Sequence, residues 1–145
     1  MVLDTQKSLL TYFWNLLTTD PTLKSLMSDD VRCYLVWATP DAEFPYLVHR
    51  IDVTREGPLY VIQKATYYLD IWSHSPNANE ALLIRKRLFE LLDELVFSTD
   101  DVSRVHVETL SNGFIPESTD GIWHYATMWD IIFRRDAEAD SMEGR

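Results

Sequence analysis

The sequence predicts an α+β fold in two layers, a mainly antiparallel sheet with two helices on one face, in the order α-β-β-β-α-β-β. Three observations lead there. Tyr67-Tyr68-Leu69-Asp70-Ile71-Trp72-Ser73 is rich in branched and aromatic side chains that pack well on a half-buried sheet, and it leads through a polar break into a long amphipathic stretch. Two segments space their apolar residues as one side of a helix, and four others alternate apolar with polar at the period of a strand. The intervening connections are mostly short, which favours antiparallel neighbours.

Asp4 or Thr5 can cap a first helix whose apolar face is Leu9, Leu10, Phe13, Leu16 and Leu17. Asp20-Pro21 interrupts it, because proline disfavours helix in the residue before it. Leu23, Leu26 and Met27 then suggest one more turn or a short second helix. Residues 32–37 read as a strand closed by Thr39-Pro40-Asp41, and residues 44–54 as a second, with Leu47, His49, Ile51 and Val53 on one face. Residues 55–63 contain Gly57-Pro58 yet also Leu59, Tyr60, Val61 and Ile62; so apolar a connection reads as an arm packed on something, such as another subunit. The third strand, 64–72, turns Ala65, Tyr67, Leu69 and Ile71 to the core. Residues 79–96 form the second helix, burying Ala81, Ile84, Leu88, Leu91, Leu92 and Leu95. A fourth strand at 102–110 points Val105 and Val107 inward, 112–121 reads as a polar loop, and 122–135 is an aromatic-rich fifth strand. Residues 1–135 form a single domain in this scheme, and the acidic, small-residue tail 136–145 is predicted to be disordered.

A chain of 145 residues can bury roughly 70% of its unfolded surface, enough for one core without staples. Five Trp, seven Tyr and six Phe are more large aromatics than one small core needs, and they suggest a second buried surface. The formal net charge of -10 disfavours nucleic-acid binding through counterion release and disfavours anionic membranes for the same reason. A single cysteine, Cys33, allows no internal disulfide. No secretion signal is evident at the amino terminus, and no apolar run approaches the roughly 20 residues that cross a bilayer, so the chain reads as soluble and made in the cytoplasm, with no membrane partner.

Catalysis finds little support. His49, His74, His106 and His124 lack metal-site spacing, and the four glycines build no phosphate-cradling loop, so no metal or cofactor is expected. Cys33 reads as a small buried thiol in preference to a nucleophile. Asp70, Glu108 and Asp130 lie on different strands, where sheet-face acids are commoner than catalytic pairs. Trp72, Trp123 and Trp129 can be core, interface or the lining of a ligand pocket; the alternative to an assembly role is therefore a small-ligand-binding module with an aromatic pocket between sheet and helices. On the second helix, Arg85, Lys86 and Arg87 precede Glu90, Asp93 and Glu94. Ordinary i, i+4 pairing accounts for this, and head-to-tail contact between copies is the functional alternative.

The chain resembles the tail completion (tail terminator) proteins of long-tailed bacteriophages. The resemblance runs through Phe44-Pro45-Tyr46-Leu47-Val48, the 55–63 arm, Leu69-Asp70-Ile71-Trp72-Ser73, Asn77-Ala78-Asn79-Glu80-Ala81 with Ile84, Leu88, Leu91 and Leu92, and His124-Tyr125-Ala126-Thr127-Met128-Trp129-Asp130-Ile131-Ile132-Phe133. It covers residues 9–135, and its weight is cumulative. It implies a non-enzymatic virion protein at the tail–head junction, assembled in the host cytoplasm. Such a protein forms a homo-oligomeric, hexameric ring that caps the tail tube protein and meets the head completion or connector protein. It binds no specific nucleic acid, although viral DNA passes through the ring. Net negative charge would keep such a channel from gripping DNA. The contacts expected to build the ring are Arg55, Leu59, Tyr60 and Ile62 on the arm, with Phe114, Ile115 and Trp123 in or beside the second loop.

Overall fold

In the computed structural model, which describes residues 4–56 and 61–135, the elements are α1 (Thr5–Thr18), α2 (Pro21–Leu26), β1 (Cys33–Leu35), β2 (Tyr46–Arg55), β3 (Ile62–His74), α3 (Asn79–Leu92), β4 (Val96–Phe97), β5 (Val102–Ile115) and β6 (Ile122–Arg135). The strands form one sheet in the order β1-β2-β3-β6-β5-β4. The α+β class and mainly antiparallel sheet are as the sequence predicts. β1 departs from the expected pairing and runs parallel to β2, because residues 36–45 are too long for a hairpin and carry the chain back to the starting end.

Local chemistry sets the helix limits. The Asp4 carboxylate accepts the Lys7 N–H at 3.0 Å, capping α1. Asp20 repeats the device for α2, accepting the Leu23 N–H at 2.9 Å with Pro21 at the first helical position. The α1 residues Leu9, Phe13 and Leu17 recur every four positions and are fully buried, each worth about 1.5–3 kcal/mol. Phe13 stacks on Tyr67 of β3 at a centroid distance of 4.2 Å. α3 buries Ala81, Ile84, Leu88 and Leu92 over β3, β5 and β6. Ala65, Tyr67, Leu69 and Ile71 meet these helices from below, together with Val105, Val107, Trp129, Ile131 and Phe133. Among the described residues these side chains fill the centre of the layer between sheet and helices.

Three boundaries differ from expectation. Among the described residues there are three helices, the short α2 being separate from α1. The helix expected over 79–96 ends at Leu92: Asp93 turns extended, Glu94 takes a positive φ of 61°, and the chain enters β4. Tertiary packing decides this, since Phe97 is buried with its ring stacked on Tyr12 at 3.6 Å, and Val96 and Phe97 pair with His106 and Val105. The loop expected over 112–121 is half strand: Asn112, Gly113, Phe114 and Ile115 pair with Thr127, Ala126, Tyr125 and His124. Asn112-Gly113 reads locally as a turn, but the partner strand β6 is long enough to hold it straight. The turn proper comes at Gly121, where φ is +82° and a Cβ would come within 3.3 Å of the His74 ring.

Candidate assembly interface

The residues expected to make contacts fall into two groups far apart. Arg55 ends β2 and Ile62 begins β3 at one end of the sheet, where Ile62 pairs with Arg134. Leu59 and Tyr60 lie outside the described residues. Phe114 and Ile115 sit on β5, not in a loop, and Trp123 sits on β6, all at the other end, where His74 pairs with Ile122. Twelve residue steps along β3 separate the two ends, about 40 Å of extended chain. At the second end the structure brings its three residues together. The Phe114 ring meets Tyr125 edge-on at 4.8 Å and Trp123 at 5.9 Å, and the Trp123 Nε1–H donates to the Ser75 carbonyl at 3.0 Å. Phe114 and Ile115 each remain 43% exposed despite this support.

Sequence reasoning missed a third apolar group. Leu35, Val36 and Trp37, on and just after edge strand β1, are 55%, 49% and 80% exposed. Val36 holds a φ of 70°, a strained region for a β-branched residue, while its N–H donates to the His49 carbonyl at 2.9 Å. That pinned kink carries Trp37 outward. The available signal was three consecutive apolar residues, which an alternating strand cannot bury together. Beside them runs an apolar groove of about 620 Å³ between α1 and the β1–β2 edge, lined by Leu10, Trp14, Leu35, Val36 and Ile51. Across the molecule, Leu110 on β5 is 54% exposed at a bulge between Thr109 and Ser111.

The face of the sheet opposite the helices carries a continuous aromatic ladder. Tyr34, Phe44 and Tyr46 meet at 5.0–5.9 Å, Tyr46 stacks toward Trp72 at 6.2 Å, and Trp72 lies on His124 at 3.9 Å. His124 is pinned by Asp70 at 2.9 Å from Nε2 and by Glu117 at 3.0 Å from Nδ1. Burial opposes its charge, yet the two carboxylates outweigh burial and raise its pKa above 6.5. His49, inside the core and 2.6 Å from the Tyr67 hydroxyl, has no such partner; burial drives its pKa down to about 4. The two act with opposite signs. His49 binds its proton less well when folded, so stability falls as pH drops from 6.5 toward about 4, by about 3 kcal/mol in all. His124 binds its proton better when folded, so its contribution is complete below 6.5 and is lost as pH rises through its raised pKa. Urea melts across this range should show His49→Gln flattening the acid limb and His124→Gln the limb above pH 6.5; unchanged limbs would contradict the assignment.

Several other polar groups singled out in the sequence are engaged within the chain. Cys33 packs against the core, and burial pushes its thiol up to about 12, which removes the thiolate a nucleophile needs. Glu108 and Asp130 are direct neighbours in the β5–β6 ladder, while Asp70 stands apart, level with Ala126, four residues along β6 from Asp130, and serves His124. His106 lies between exposed Glu94 and Glu108, at 3.1 and 3.5 Å, with both ring nitrogens facing carboxylates. On α3, Arg87 reaches Asp20 at 2.6 Å and Glu90 at 3.6 Å; Arg85 donates to the Tyr125 hydroxyl at 2.9 Å and lies over the Phe89 ring at 4.1 Å. Those two cations are spent within the chain, which weakens the head-to-tail reading of this helix. Trp72, Trp123 and Trp129 also fail to line one pocket, since Trp72 lies on the open face and Trp129 is wholly buried among the helices.

The molecule is thus an α+β scaffold that exposes large apolar side chains at the ends and edges of one sheet, with others on the helices at Trp14, Leu82 and Leu83. No protein family matches the chain, and no characterised protein matches it by sequence. Its fold is similar to that of a solved chain from the virion of a native gene transfer agent particle, with a TM-score of 0.69 and 11% sequence identity, over 90% of this chain and 94% of the other.

Proposed function

We propose that this protein is a structural component of a phage-like virion, a subunit of a ring that caps the tail tube and joins it to the head connector. The observation that carries the virion reading is the shared fold, which spans nearly the whole of both chains with little left over for a separate activity. The surface supports assembly over catalysis. Large apolar side chains stay exposed at two opposite ends of the sheet, Ile62 at one and Phe114 and Ile115 at the other. A head-to-tail contact needs two different patches on each subunit, and such a contact closes into a ring when the rotation between copies allows. Six copies are the order that the resemblance to tail terminators implies.

A terminator should stop tube growth. Electron microscopy of the protein mixed with assembled tail tubes is expected to show a ring on one tube end. Ile62→Asp combined with Phe114→Asp should leave the chain folded, because both side chains are half exposed, while tube capping is lost. Tubes left bare by the unmodified protein, or capped normally by the double variant, would contradict the proposal.

A further inference from the structure

Both edges of the sheet are stepped, and the steps fit each other. β1 covers only Leu47, Val48 and His49 of β2, so the outer side of β2 is uncovered by any described strand beyond His49. At the other edge β4 covers only Val105 and His106 of β5, and no described strand pairs with the outer side of β5 from Glu108 to Ile115. The register places these features at complementary heights. Tyr34 is level with Val48, Asp70, Ala126 and Gly113 in turn across the sheet; Leu35 is level with Asn112, and Cys33 with Phe114. One edge therefore projects where the other is recessed. β1 also runs opposite to β5, as each of the three intervening pairs β2–β3, β3–β6 and β6–β5 reverses direction and β1 follows β2.

We infer that successive copies join edge to edge, β1 of one adding antiparallel to the free edge of β5 of the next, so that their sheets become continuous. The inference rests on the ring reading above and supplies its contact. Three further observations select a second copy of this chain as the occupant. The first is backbone supply. Arg32 and Val36 direct their carbonyl and N–H to β2, which turns the alternate residues Cys33 and Leu35 outward, although the Leu35 carbonyl already accepts the Trp37 N–H at 2.8 Å. The second is Gly113, in mid-strand without a positive φ and with nothing within 4 Å of a Cβ built on it. The monomer does not require glycine there, and a strand glycine marks where another backbone or an aromatic ring comes close. Set side by side, the next copy's Tyr34 lies over Gly113. The third is apolar matching. Leu110 stands at the bulge between Thr109, level with Ile51, and Ser111, level with Arg50. That is the height of the groove lined by Leu10, Trp14, Val36 and Ile51 on the neighbour, so Leu110 fills it.

Cysteine cross-linking of the full chain tests the contact. With Cys33→Ser removing the native thiol, Tyr34→Cys and Gly113→Cys place one thiol on each edge. Within one chain the two sites are four strand spacings apart, about 19 Å, far beyond disulfide reach, so any bridge joins two molecules. Mild oxidation should give a ladder extending past the dimer and ending at a closed species, at least about tenfold faster than Tyr34→Cys with Glu108→Cys, whose second site lies about 14 Å along the sheet, four steps of β6. Leu35→Cys with Asn112→Cys, one level along, serves as a second folded pair if the first destabilises the chain. Equal rates for matched and displaced pairs, or no ladder from either matched pair, would overturn the edge contact. Rings on tube ends without a matched ladder would leave the capping role standing and refute only this geometry; a matched ladder without capping would do the reverse.

Discussion

Trp129→Ala should lower the unfolding free energy by about 3–5 kcal/mol, the range for deleting a large buried aromatic. Trp129 is wholly buried on β6 beneath α3, with its ring 4.8 Å from Phe89. Its Nε1–H donates to the Thr127 hydroxyl at 2.9 Å, and that hydroxyl donates to the Leu69 carbonyl at 2.6 Å across to β3. Alanine would leave a cavity between sheet and helix and remove one member of that chain. The cost is a large part of the 5–15 kcal/mol that holds an ordinary domain together. Urea unfolding followed by far-UV circular dichroism would measure it as a lower midpoint at unchanged slope; a loss below about 1 kcal/mol would mean that the ring is not the keystone its burial indicates.

Asp20→Ala is the second large effect, about 2–4 kcal/mol, since one residue serves both as a helix cap and as the acceptor of charged hydrogen bonds. Its carboxylate caps α2 through the Leu23 N–H and takes both Nε and Nη2 of Arg87, at 2.9 and 2.6 Å, clamping the α1–α2 turn onto α3. Asp20 is almost wholly buried, so removing it leaves Arg87 partly covered and without its main anion. The hydrogen bonds from Arg87 hold the Asp20 pKa below 3.8 despite the opposing effect of burial. The sign follows from that direction. The contribution is full above 3.8 and is lost as pH falls through the depressed value. Arg87→Met should therefore cost less at acid pH than at neutral pH, and a double-mutant cycle of the two substitutions should return most of the energy as coupling. Simple additivity would show the pair to be independent.

Neither substitution touches the surfaces argued to assemble, and this separation explains how much was legible in the residues alone. Core positions follow from periodicity. Leu9, Phe13 and Leu17 on α1, Ala81, Ile84, Leu88 and Leu92 on α3, and the alternating set on β3 are buried as their spacing requires. The start of α1 follows from local chemistry at Asp4 and its end from the break at Asp20-Pro21, whereas α3 begins after Ala78 without a side-chain cap. The misjudged segments are those where a distant partner outweighs local preference. Leu95 continues the apolar spacing of the helix through residues 93–96, yet Phe97 gains more by stacking on Tyr12 and pairing with Val105. Asn112-Gly113 signals a turn, yet β6 offers it a ladder.

The candidate interface divides in the same way. Its chemical character, a surplus of large apolar side chains on an acidic chain, belongs to composition and can be read without coordinates. Where that surplus surfaces cannot, because exposure depends on which strand ends up at an edge and how far its neighbour extends. The run Leu35, Val36 and Trp37 signals that one strand cannot bury all three, but which of them surface is decided only when β1 is placed outermost and three residues long. Gly113 looks like a turn residue until the register sets it level with Tyr34 across four strands. Periodicity and capping act within a few residues and so are written in the chain; strand order and register arise from contacts between distant segments, and those are settled only when the whole sheet closes.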